Sequence, residues 1–245
     1  TRVYVETSDG AGDTEGTEYR NMVLAIAEGQ MKDLKKVYFN DVVVFDGTFT
    51  HGTLYGADDD TVHDPEGDPA TENKYADTIE MQYFDGRDDQ TVSSLIQDSV
   101  GSANWSNDHR LRGVAYIAFK LQADGEKYNG GVPLITCEFD GKQIVSTADY
   151  SSTVSGEDQH PVDVLYDYLT NARYGKGLTD TDGGQDIDRT SFTSVRSDMG
   201  SYYSINGVLQ TDTTLYENIN AILDSGNMML IYSNGVYSLK LRKQN

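Results

Sequence analysis

The first part of the chain alternates between short apolar runs and polar or glycine-containing connections. Apolar runs of this kind, rich in branched and aromatic residues, are typical of β-strands. We predict strands at residues 2–6, 20–27, 34–39, 42–45, 78–84, 114–121 and 132–139. Every residue from 22 to 27 is apolar, so both faces of that strand are apolar and we expect it in the middle of a sheet. Asn40-Asp41 predicts a hairpin tip between two of the strands.

The second part of the chain shows helical spacing. Apolar residues occur at positions 162, 165, 166 and 169, directly after Pro161, which is a favourable first helical residue. This pattern predicts a helix over residues 161–174. Thr214 and Glu217 form a capping-box signature, which predicts a second helix over 213–225. The Asn234-Gly235 pair between two strand-like runs predicts a hairpin over 228–242.

These elements predict an α+β fold that is predominantly β. We expect a β-rich domain over residues 1–150, with a polar, acidic insertion around 50–108 that is most exposed at 57–73. Within this insertion, apolar spacing over 91–100 predicts a short helix that Asp88 or Asp89 could cap. The segment 151–159 is predicted to be a linker. A small helix–helix–hairpin module then follows over 151–245.

Composition narrows the classes of function. The formal net charge is −21 and the isoelectric point is near 4.3, so the surface repels nucleic-acid phosphate and we expect no specific nucleic-acid binding. Adaptation to a salty habitat would also explain this charge. Cys137 is the single cysteine and is expected to be a small buried hydrophobe. The sequence has no apolar run near the roughly 18–20 residues that a membrane span needs. Because the chain starts at Thr1 without an initiator Met, we expect it to be processed or part of a longer protein.

Motifs for catalysis are absent from the sequence. It contains no nucleophile elbow, no zinc-protease helix motif and no phosphate-binding glycine loop, so we expect no enzyme, no catalytic residue and no cofactor. Carboxylate pairs carry no information in a chain with 40 acidic residues. The cluster of residues 58–60 with His63 and Asp64 is interpreted as a solvated loop tip.

A weak calcium candidate consists of alternating carboxylates around two glycines. Oxygen ligands at such spacing resemble a calcium loop, but the expected Glu at the twelfth position is replaced by Ser191. The alternative is a plain acidic connector in which Asp186 or Asp188 caps the next helix. We therefore predict no metal site. The four candidate ligands are Asp180, Asp182, Asp186 and Asp188.

Three features favour a role as an interface, and one of them is the segment 57–73, which is interpreted as a decoration that projects from the core. His109, Arg110 and Arg112 form a basic island in an acidic chain, and the two arginines would lie on one side of an extended strand. An internal salt bridge is the alternative use of these arginines. Tyr202 and Tyr203 are amphipathic side chains of the kind enriched at interfaces.

Several segments of the sequence resemble one protein family. The clearest are RGVAYIAFKL and GVPLITCEFDGK within residues 109–143, and PVDVLYDYLTNARYGKGL at 161–178. They resemble the tail-tip or tail-hub proteins of long-tailed bacteriophages, the group that includes the tip attachment protein of lambda-like phages. Further patches of resemblance are 19–41, 84–96 and 209–241, with Gln30 standing where an acid is more usual.

The resemblance implies a structural virion protein at the tail tip, comparable to a baseplate hub. Such a hub closes the tail tube and connects it to host-recognition fibres for DNA ejection. The implied partners are sister copies in a homotrimer, the distal tail protein, and other tail-tip and fibre proteins. The alternative class is a secreted calcium-assisted adhesin or polysaccharide-binding module, and a third is an acidic secreted hydrolase.

Overall fold

The computed structural model describes residues 2–8 as backbone, and residues 18–56, 75, 78–128, 131–154, 159–180, 186–209 and 212–242 with their side chains. The predicted exposed insertion at 57–73 and the cluster of His63 and Asp64 lie outside these residues. The chain forms two compact units, Thr1–Asp140 and Gly141–Asn245. The predicted domain boundary at residue 150 concerns independent folding, and it stays a prediction.

The described residues of the first unit form two antiparallel sheets. Its elements are β1 (Arg2–Ser8), β2 (Glu18–Glu28), β3 (Leu34–Phe39), β4 (Val42–Asp46), β5 (Leu54–Tyr55), β6 (Ile79–Asp85), α1 (Ser94–Val100), β7 (Val114–Gln122), α2 (Gly125–Tyr128) and β8 (Ile135–Phe139). One sheet has the strand order β1-β2-β7-β6-β5, and the other has the order β4-β3-β8. The two strands of the 114–139 segment therefore belong to different sheets. Asn40 and Asp41 form the predicted hairpin tip, with φ values of 49° and 67°.

The larger sheet is covered on both faces, which explains why the middle of β2 and most of β7 are apolar on both faces. In β7, Ile117 and Phe119 join the core that also contains residues of the smaller sheet, such as Phe39. Tyr116 on the opposite face joins the second cluster, in which α1 contributes Leu95. As predicted, β2 lies inside the sheet, between β1 and β7. Burial on both faces removes the polar–apolar alternation of a half-exposed strand.

Two local expectations in this unit need correction. The cap of α1 is Ser93, whose hydroxyl accepts a hydrogen bond from the backbone of Ile96, and not Asp88 or Asp89. Ser93 is buried and also donates to Gln82 Oε1 at 2.7 Å, so tertiary packing fixes where the helix begins. Cys137 is half-buried instead of fully buried, although burial still raises the pKa of its thiol to about 12.

The second unit packs helices against a hairpin. It contains β9 (Ile144–Val145), β10 (Thr153–Val154), α3 (Pro161–Thr170), α4 (Arg189–Met199), α5 (Leu215–Ser225), β11 (Met228–Ser233) and β12 (Val236–Leu241). Its core includes Leu165, Phe192, Ile222 and Leu239. The helix predicted over 161–174 ends earlier, at Thr170, because Asn171 has an extended backbone.

The predicted capping box and the predicted hairpin are both present in this unit. Thr214 and Glu217 form both hydrogen bonds of a capping box, and β11 pairs with β12 across Asn234-Gly235. The predicted α+β fold with a predominance of strands is confirmed. Among the described residues, no helix combines the length and apolar character needed to cross a membrane.

Candidate subunit interface

The basic island lies in a turn between α1 and β7, which we call the basic loop (residues 109–112). The His109 ring stacks on Trp105, with centroids 4.8 Å apart, and Arg110 Nε donates to the carbonyl oxygen of Asn107 at 2.6 Å. Leu111 is 37% exposed and Arg112 is exposed. The loop therefore presents an exposed leucine with an arginine on either side in the sequence.

The backbone of the basic loop is not an extended strand, which corrects the sequence-based expectation. β7 begins only at Val114, and Leu111 has a φ of 51°. A branched side chain rarely adopts this left-handed conformation, which costs about 1–2 kcal/mol. The alternation of a strand therefore does not set the directions of the Arg110 and Arg112 side chains.

A buried glutamine holds this turn in place. Gln90 is fully buried, and its Nε2 donates to the carbonyl oxygens of Arg110 at 2.7 Å, Leu111 at 2.5 Å and Val114 at 3.2 Å. Its Oε1 accepts from the backbone N–H of Gly86 at 3.2 Å. Sequence reasoning missed Gln90, because a glutamine among acidic loop residues carries no local signal of burial.

An ion-paired cluster supports the other side of Gly86. Asp85 accepts from Arg87 Nη2 at 2.5 Å and lies 2.7 Å from His51 Nδ1. Burial raises the pKa of Asp85, but the hydrogen bonds from Arg87 and the charges of His51 and Arg87 outweigh it, so the pKa lies below its usual value. This carboxylate stays ionised at neutral pH, so it serves as an anchor for the 85–87 turn and not as a general acid.

The arginines of the basic loop differ in their pairing from four other arginines of the chain. Among the residues that the structure describes, neither Arg110 nor Arg112 forms an ion pair. These residues therefore do not support the alternative of an internal salt bridge. By contrast, ion pairs to aspartate are formed by Arg87, Arg189, Arg196 and Arg242.

The predicted interface tyrosines belong to the second unit, whereas the basic loop belongs to the first. Tyr202 ends a short 3-10 turn after α4 and is 94% exposed, and Tyr203 is 44% exposed. Val208 further along the same segment is 89% exposed. The backbone N–H of Ile205 donates to the carbonyl oxygen of Gln159, which attaches this apolar segment to the unit.

The acidic connector has internal partners for each of its described carboxylates. Asp180 accepts from Arg189 Nε at 2.8 Å and from the hydroxyl of Tyr166. Asp186 accepts from the backbone N–H of Thr179, and Asp188 caps α4, which confirms the capping alternative for this residue. The part of the chain that the structure describes contains no cluster of three or more acidic, histidine or cysteine side chains able to hold a metal. Asp182 lies outside the described residues, so the prediction of no metal site, with calcium as its weak alternative, stays a prediction.

Comparison with known proteins agrees with the resemblance to phage tail proteins. No family model matches the chain. The chain is 23% identical over 276 aligned positions to the baseplate hub protein pb3 of Escherichia phage T5, and the alignment covers 91% of this chain and 29% of that protein. The chain thus spans less than a third of this relative's length. The similarity supports a phage tail-related protein.

A solved structure of the virion of a native gene transfer agent particle also aligns with the chain. The alignment covers 98% of this chain and 50% of the other, with 14% identity and a TM-score of 0.42. A score this low does not establish a shared fold, so the sequence relative carries more weight.

Proposed function

We propose that this chain is a structural protein of the phage virion. It forms a hub segment of the tail tip, which closes the tail tube and connects it to host-recognition fibres for DNA ejection. The observation that carries this proposal is the similarity to a baseplate hub protein over 91% of the chain.

The use of ionisable groups also supports a mechanical role. The buried carboxylates Asp85, Asp163 and Asp180 are each paired with an arginine, which fixes turns and helices instead of leaving a group ready for proton transfer. Arg112 of the basic loop and the tyrosines Tyr202 and Tyr203 are exposed at the surface, where they can contact other proteins. This distribution favours assembly over catalysis.

We propose sister copies in a homotrimeric ring as the first partners of the chain. The distal tail protein and other tail-tip and fibre proteins would then bind to the ring. The net charge of −21 suits a hub that DNA passes, because like charge prevents the DNA from adhering to its wall.

Localisation on intact particles tests the proposal. Gold-labelled antibodies against this chain are expected at the tail tip in negative-stain images, and antibodies against a capsid protein of the same particle serve as the control. Label on the tube wall or the capsid would contradict the tail-tip assignment. Absence of the chain from purified particles would contradict the virion assignment altogether.

A further inference from the structure

We infer that the basic loop docks on carboxylates of a second copy of this chain in a head-to-tail contact. The inference rests on the proposed function, because it names the surface through which copies of the hub would meet. It is supported by the hydrogen bonds that hold the loop, by the lack of an ion pair to its arginines among the described residues, and by the negative charge of the chain.

The loop is built to hold one conformation. The side chain of Gln90 donates to three backbone carbonyl oxygens in and directly after the loop, and the N–H of Gly113 donates to the carbonyl oxygen of Arg87 at 3.5 Å. The strained φ of Leu111 persists because these buried hydrogen bonds determine the backbone. A loop that is already ordered loses little entropy when it binds, which favours docking.

The charge of the loop is not used within the described part of the chain. Arg110 and Arg112 form no ion pair there, although the sequence contains 40 acidic and 19 basic residues. Arginine recognises carboxylates through a planar fork of donors. In so acidic a protein, a second copy offers many carboxylates, and the basic loop is a place where two copies can attract each other.

The proposed ring sets the symmetry of the contact. A two-fold dimer could also pair the basic loop with carboxylates, because residue i of one copy then contacts residue j of the other, and the reverse. In a ring of three, the loop of each copy instead binds an acidic surface elsewhere on the next copy, which is a heterologous contact. The inference therefore takes its head-to-tail arrangement from the proposed ring, and its pairing of arginine with carboxylate from the loop.

Charge reversal with a matched control tests the contact. We compare Arg110→Glu/Arg112→Glu with Lys32→Glu/Lys240→Glu, which lowers the net charge by the same amount at exposed lysines outside the loop. At physiological salt, mass photometry and sedimentation are expected to show rings of three or more copies for the wild type and the control, and an association weakened at least about 100-fold for the loop variant. Circular dichroism verifies that both variants fold.

Three outcomes would overturn the inference: a wild-type chain that stays monomeric at every concentration, a two-fold dimer as the end state, or equal losses in both variants. These outcomes are distinct from failure of the proposed function. If the loop variant still forms the ring and the chain is labelled at the tail tip, the proposed contact is wrong and the proposed function stands. If the label lies elsewhere on the particle, the proposed function is wrong.

A cross-link identifies the partner surface directly. Arg112→Lys places an amine in the loop, which a zero-length carbodiimide can join to a carboxylate in contact with it. In a mixture of nitrogen-14 and nitrogen-15 chains, peptides with one light and one heavy half are expected to join this loop to an Asp or Glu of another copy. Cross-links from this position only within one chain would contradict the contact.

Discussion

Gly86 occupies a position where a side chain would collide with the backbone. Its φ is +91°, and a Cβ there would lie 2.2 Å from the carbonyl oxygen of Gly29 and 2.8 Å from the backbone nitrogen of Ala115. The N–H of Gly86 also binds Gln90, which holds the basic loop. The close approach at this one residue thus connects two turns of the first unit.

Gly86→Ala is therefore expected to destabilise the first unit by about 2–4 kcal/mol, through strain and displacement of backbone. Gly131→Ala is the matched control, since a Cβ there meets nothing within 4 Å and the residue is exposed. We expect the control to change the free energy of unfolding by less than about 1 kcal/mol. Urea denaturation of both variants measures this difference, and equal stabilities would show that the turn can open without cost.

Turns and helix ends could be predicted from the sequence where the residues that form them are neighbours in the chain. The Asn40-Asp41 and Asn234-Gly235 tips, the capping box of α5 and the first turn of α3 after Pro161 all follow from contacts between neighbours in the chain. The cap of α1 could not be predicted in this way, because Ser93 is held in place by its buried hydrogen bond to Gln82 in strand β6.

The same distinction applies to the candidate site. The charge of the basic loop was visible in the sequence, but its shape depends on Gln90, which lies about 20 residues away in the chain. The left-handed Leu111 could not be predicted, since the conformation follows from that distant hydrogen-bonding partner.

At the level of elements, the start of α3 depends on a buried histidine. His160 is 4% exposed, and its Nδ1 accepts the N–H of Val162 at 3.2 Å. An accepting nitrogen carries no proton, so this cap requires the neutral ring. Burial lowers the pKa of His160 below 6.5, the charge of Arg196 lowers it further, and the charge of Asp163 partly offsets both.

Stability of the second unit is therefore expected to fall in mild acid. Because the folded pKa of His160 is lower than the unfolded value, the unfolded chain binds the proton more readily. The contribution is complete above about pH 6.5 and is lost as the pH falls through the folded pKa. His160→Asn keeps a side chain that can cap a helix but does not titrate.

Chemical denaturation at about pH 7.5 and about pH 5.5 measures this effect. The loss of unfolding free energy between the two is expected to be smaller in His160→Asn than in the wild type. An identical loss in both proteins would mean that other groups cause the acid dependence, and that the cap is indifferent to protonation.

For the whole molecule, two electrostatic effects oppose each other. The net charge of −21 repels a second copy over a distance of about 10 Å at 0.1 M salt. The arginines of the basic loop act only at contact, where ion pairs are screened less by salt. Assembly thus requires enough salt to weaken the long-range repulsion and little enough to preserve the contact.

Association of the wild-type chain is therefore expected to pass through a maximum as salt increases from about 0.02 M to about 1 M. Sedimentation velocity at constant protein concentration across this series measures the curve. In Arg110→Glu/Arg112→Glu the attraction is gone while the repulsion is larger, so its weak association is expected to rise with salt and not to fall again. A continuous rise in the wild type would show that the basic loop contributes nothing to assembly. A continuous fall from the lowest salt would show that the net charge does not oppose it.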